Sequence, residues 1–162
     1  ISFEASKENF KFLKNKYNNM KNVTLENIAL SSDISEKKFN QCKESSSSTF
    51  SKINLNSKYL FNKMKYLNYS KSENFYEEQS IKTDTLDNYL NKNNIYNIDL
   101  IKIDTEGHEF EILKGLKQNI KNVKIIIFEH HYDNMLAKNY TFSDIHNYLE
   151  KNSFTSPFHK QS

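Results

Sequence analysis

Ile98-Asp99-Leu100-Ile101-Lys102-Ile103-Asp104 and, further on, Val123-Lys124-Ile125-Ile126-Ile127-Phe128-Glu129 decide how this chain is read. Each is an apolar run of strand length closed by an acid. Between them, Glu106 to Gln118 carries Phe110, Leu113 and Leu116 at helical spacing, so the block reads strand, helix, strand. The second run is almost continuously apolar, the pattern of a parallel strand buried on both faces. Strands joined by helical crossovers predict an α/β fold with a parallel sheet.

Working outward, the same pattern recurs. Ile1-Ser2-Phe3-Glu4 is a short strand ending in an acid. Ser6 offers a helix N-cap, and Phe10, Leu13, Tyr17 and Met20 follow at helical spacing. Val23 to Leu30 alternates as a strand, completing a βαβ unit. Ser80 to Thr83 predicts another strand and Thr85 to Leu90 a short helix. Thr141 with Asp144 is a capping box opening a helix through Ile145, Tyr148 and Leu149. Phe154 to Phe158 reads as a last strand. Between Ser31 and Ser80 neither period persists, and Ser45 to Ser48 is a serine run. Residues 43–78 are therefore expected to form a variable insert or lid.

The chain's 162 residues suit one domain. No run approaches the roughly 18 apolar residues of a membrane span, and no signal segment opens the chain. A single cysteine, Cys42, excludes a disulfide scaffold and favours a reducing, cytoplasmic setting. The net charge of +3 rests on 23 lysines without any arginine. A nucleic-acid reader would want arginine for bidentate contacts, so neither nucleic acid nor membrane is an expected partner. With only Gly107 and Gly115, the chain contains no Gly-rich phosphate loop.

Glu4, Asp104 and Glu129 each close a strand. In an open α/β sheet the ligand crevice lies beyond the carboxyl ends of the strands, so these acids should converge. Glu4 suits the two hydroxyls of a ribose. Asp104 and Glu129 suit a reacting group. Two carboxylates on adjacent strands can also hold Mg²⁺, but no metal ligand is assigned. Glu106 and His108 join Asp104 as catalytic candidates, His108 because its charge changes near neutral pH. Glu109 reads first as a helix cap, and His130-His131 as neighbours pointing apart. Two other classes remain open: a divalent-metal hydrolase using Asp104, Glu129 and His130, and a non-catalytic binding domain of the same fold.

Asp99 to Glu109, with Thr105-Glu106-Gly107-His108 at its heart and continuing to Leu113-Lys114-Gly115, resembles the signature of the FkbM family of S-adenosylmethionine-dependent methyltransferases. Phe3-Glu4, Asn27-Ile28-Ala29-Leu30, Ser45 to Ser48, Thr85-Leu86-Asp87 and Ile126 to Glu129 fall in the family's order. The resemblance implies a Rossmann-like class I fold, with a doubly wound, mostly parallel sheet. It implies that Glu4 and Ala5 lie at the ribose, Ile28 and Ala29 at the adenine, and Asp104 by the sulfonium and acceptor. Ala5 stands where the family usually has proline. The family's first strand, helix and Gly-rich loop have no counterpart from Ile1 onward, so residues 1–162 read as one partial domain, inactive alone. The implied reaction is O-methylation of a hydroxyl on a sugar, glycan or small metabolite.

Overall fold

A computed structural model describes residues 1–43, 47–69, 75–132 and 134–155. The first elements are β1 (Ser2–Phe3), α1 (Lys7–Lys16) and β2 (Leu25–Glu26). Ser6 caps α1, its hydroxyl accepting the Asn9 N–H at 3.2 Å. β1 and β2 pair in parallel, Ser2 opposite Leu25 and Phe3 opposite Glu26. This is the expected βαβ unit, although α1 ends before Met20 and buries no residue completely.

The single strand expected over Val23 to Leu30 is broken in two. After β2 the chain turns at Asn27, whose amide donates to the Glu4 carbonyl at 2.7 Å, and β3 (Ala29–Leu30) changes partner. β3 pairs in parallel with a longer strand, β6 (Tyr76–Asp84), and β6 is also antiparallel to β4 (Glu36–Cys42). The segment expected to form only a variable insert is therefore ordered over its described residues. β5 (Lys52–Ile53) pairs antiparallel with β9 (Leu136–Ala137), and α2 (Lys58–Tyr66) packs Leu60 and Met64 inward. Cys42, Leu60, Met64, Phe75, Met135 and Leu136 close a second, small core around these elements. Ser45 and Ser46 of the serine run lie outside the described residues.

The larger core lies around α3 (Leu86–Lys92), β7 (Ile98–Ile103), α4 (Glu109–Gly115), β8 (Val123–Phe128) and α5 (Phe142–Lys151). β7 and β8 are parallel, with Ile98 opposite Val123 and Ile103 opposite Phe128. The capping box at Thr141 and Asp144 is formed. The helix expected from Glu106 instead starts at Glu109, because Glu106 and Gly107 have left-handed backbones with φ of 52° and 91°. It ends at Gly115, and Lys117–Asn122 continues as a tighter 3₁₀ helix. Phe154 follows α5 outside any strand, and residues 156–158 of the last expected strand lie outside the described residues.

The α/β class is as expected, but the described strands form four small sheets rather than one doubly wound sheet. β1–β2 and β7–β8 each pair only with each other, and a groove separates Phe3 from Ile101 and Ile103. β8 also departs from burial on both faces: Ile125 and Ile127 are 55% and 51% exposed, with Leu100 of β7 beside Ile125. Among the described residues, no helix is long and apolar enough to cross a membrane.

Candidate active site

The groove between β1 and β7 has a volume of about 1010 Å³. Its floor and walls are largely apolar, with Phe3, Ile28, Leu30, Phe50 and Leu86 among them. Four acids line it: Glu4 from the end of β1, Asp104 from the end of β7, Glu106 from the following turn, and Asp99 of β7, which is paired with Lys124. Two of the three strand-closing acids thus line one groove, which runs beside the whole of β1 and β7 rather than beyond the end of a shared sheet. The third, Glu129, stands one strand away beside Asp104, its N–H donating to the Ile103 carbonyl at 3.0 Å.

Each acid is held differently. Glu4 Oε1 accepts the Ser6 N–H at 2.8 Å, and burial pushes its carboxyl above the usual range despite that bond. Ala5 and Ile28 line the groove beside it. Ala29 does not: it is buried in the ladder opposite Thr83, which leaves Ile28 as the groove-facing member of that pair. Asp104 Oδ2 accepts from Lys102 Nζ at 2.8 Å, and this ammonium holds its carboxyl below the usual range.

The turn bearing Glu106 is braced from both sides. Glu109 is completely buried, and its Oε1 accepts the N–H groups of Thr105 at 3.1 Å and Gly107 at 3.0 Å. Its Oε2 accepts the Tyr140 hydroxyl at 2.6 Å. From the opposite side, Thr49 Oγ1 donates to the Glu106 carbonyl at 2.6 Å and Ser51 Oγ to the Gly107 carbonyl at 2.9 Å. A Cβ on Gly107 would fall 2.7 Å from that serine oxygen, so glycine is required for space as well as for φ. Burial raises the Glu106 carboxyl, and His131 and Lys63 lower it in part.

His108 sits on the inner side of the same turn. Its Nε2 lies 3.0 Å from Ser31 Oγ, and its ring packs on Phe50 with centroids 4.7 Å apart. Burial depresses the imidazole to about 4, so it is neutral at physiological pH. His131 faces the acids instead: its Nε2 is 3.5 Å from Glu106 and 3.9 Å from Glu129. His130 packs against Tyr132 and Phe142, away from them. Among the described residues, no three histidine, cysteine or acidic side chains are grouped so as to hold a metal ion.

Sequence reading did not find the bracing by Thr49, Ser51 and Tyr140. Serine and threonine are common residues without a spacing rule, and Tyr140 is 31 positions from the acid it meets. The family model of the methyltransferase FkbM domain matches residues 1–156.

The chain belongs to the FkbM methyltransferase family.

The match spans both cores and the whole groove, and it carries the resemblance of the Asp99 to Gly115 signature to nearly the full chain. Neither a curated protein nor a solved structure matches the chain. Membership makes this a methyltransferase domain, and nothing favours the hydrolase or non-catalytic alternatives.

Proposed function

We propose that the groove takes S-adenosylmethionine and that the domain methylates a hydroxyl oxygen of a sugar or other small metabolite. The observation that carries this reading is the meeting of Glu4, Asp104 and Glu106 on one largely apolar groove. The residues present fit the cofactor's chemistry: apolar walls suit a flat base, a strand-end acid suits ribose hydroxyls, and carboxylates suit a cationic sulfur. When bound, the cofactor supplies an electrophilic methyl group on that sulfur.

The chain's own residues divide the remaining work. Glu4 accepts hydrogen bonds from the ribose hydroxyls, fixed by the Ser6 N–H it already holds. Ile28 and its apolar neighbours exclude water from the base. Asp104, kept ionised by Lys102, supplies negative charge at the reacting end of the groove. Glu106 accepts the proton of the acceptor hydroxyl, a role suited to a carboxyl raised by burial. His108, neutral and packed on Phe50, forms part of the wall. Holding the acceptor in line contributes much of the rate.

The test is to incubate the full-length protein with methyl-labelled S-adenosylmethionine and a panel of hydroxylated small molecules. Label in an alkali-stable, ether-type product is the expected result. Label only in alkali-labile esters, or on amines, would overturn the oxygen-ether assignment while leaving methyl transfer intact.

A further inference from the structure

We propose that His131 is a positioning residue that acts through Glu106, holding that carboxylate toward the groove while it takes the acceptor's proton. This rests on the methyl-transfer reading above. Glu106 lines the groove and His131 does not, so the imidazole stands behind the carboxylate as seen from the substrate. Its Nε2 is 3.5 Å from Glu106 Oε2, and both side chains are mostly buried, His131 at 19% and Glu106 at 20% exposure.

Three observations point to a built arrangement rather than a surface pair. First, Glu106 keeps a φ of 52°, unfavourable for a residue with a Cβ, and such strain persists only where the surroundings impose it. Thr49, Ser51 and Glu109 impose it, through both carbonyls and the N–H groups of the turn. Second, the histidine's own backbone is anchored, because Lys138 Nζ donates to its carbonyl. Third, the charged groups around Glu106 come from four directions. Asp104 at the end of β7 and Glu129 at the end of β8 repel its charge, while His131 and Lys63 of α2 attract it.

The imidazole therefore stands between two of the three crowded carboxylates, Glu106 and Glu129, while Lys102 pairs with the third, Asp104. In the step itself, the acceptor O–H bond breaks and its proton passes to Glu106. The oxygen forms its bond to the methyl carbon as the carbon–sulfur bond breaks, and that electron pair stays on sulfur. His131 holds Glu106 in place before and after the transfer.

The experiment follows the Glu106 carboxyl carbon by NMR in the full-length protein labelled with ¹³C-glutamate, across an acid titration. His131→Gln, which keeps much of the ring's bulk without its charge, should raise the Glu106 midpoint. His131→Lys, which restores a cation, should bring it back toward wild type. Amide spectra confirm that each variant is folded, and Lys63→Ala provides a second variant with the same upward direction. In parallel, equilibrium dialysis with labelled S-adenosylmethionine should give wild-type affinity for His131→Gln within about twofold, since His131 is not in the groove wall. An unmoved Glu106 midpoint in His131→Gln, with cofactor binding intact, overturns the role of His131 and leaves methyl transfer standing. Absence of cofactor binding in the wild-type protein overturns the methyl-transfer reading, and this role with it.

Discussion

At the scale of single residues, His108 and Glu109 are adjacent and both buried, yet they serve different ends. His108 is neutral because burial disfavours its charge, and its folded value of about 4 lies below the free value of 6.5. Between those values the unfolded chain binds a proton that the folded chain refuses, so stability falls as pH drops from about 6.5 to about 4. The loss attributable to this one group approaches about 3 kcal/mol. Urea unfolding at pH 7 and pH 4.5 should therefore show a smaller acid penalty in His108→Phe than in wild type. An equal penalty in both would contradict the burial argument. Glu109→Ala should cost about 3 kcal/mol, because it strips the N–H groups of Thr105 and Gly107 and the Tyr140 hydroxyl of their shared acceptor. Denaturant midpoints would report it. Glu109 had read as a helix cap, but α4 has no side-chain cap hydrogen bond, and the carboxylate holds the turn before the helix instead. Its bond to Tyr140 depends on how α4 and the loop before α5 come together, and no local spacing encodes that.

At the scale of elements, local signals were legible in several segments that satisfy themselves, although α2, capped by Ser57, was missed. Ser6, Thr85 and Thr141 cap the helices that follow them, because an N-cap needs only a hydroxyl and an N–H three residues on. β7 and β8 were legible from their apolar runs. β4 was not, and β6 was legible only over Ser80 to Thr83: Glu36 to Cys42 and Tyr76 to Asp84 are rich in Lys, Glu, Gln and Ser. Their seven paired positions are held by backbone bonds between segments some forty residues apart, a partnership invisible to any period within one strand. The split of Val23 to Leu30 has the same origin, since β3 leaves β2 for β6. Gly115, read as part of the family signature, also has a packing reason. A Cβ there would fall 2.1 Å from the Ser31 carbonyl oxygen, which sits on β3's exit. Gly115→Ala should therefore push α4 off that segment and cost about 2–3 kcal/mol, measured by thermal unfolding. A neutral result would show that α4 and Ser31 are not in contact.

At the scale of the whole molecule, the site draws on residues far apart in the sequence. Glu4 and Asp104 are a hundred positions apart, and both line the groove between β1 and β7. That convergence was legible, as were the family and the α/β class. The braced turn was not, because Thr49 and Ser51 reach it from a segment that carries no period of its own. The proposed function puts S-adenosylmethionine in this groove with Glu4 at its ribose. Equilibrium dialysis of the labelled cofactor against the full-length protein, wild type and Glu4→Ala, tests it most directly. Saturable binding in wild type, weakened about tenfold or more in Glu4→Ala by loss of a charged hydrogen-bond acceptor, is the predicted result. Equal binding by the two proteins, or none by wild type, would contradict it.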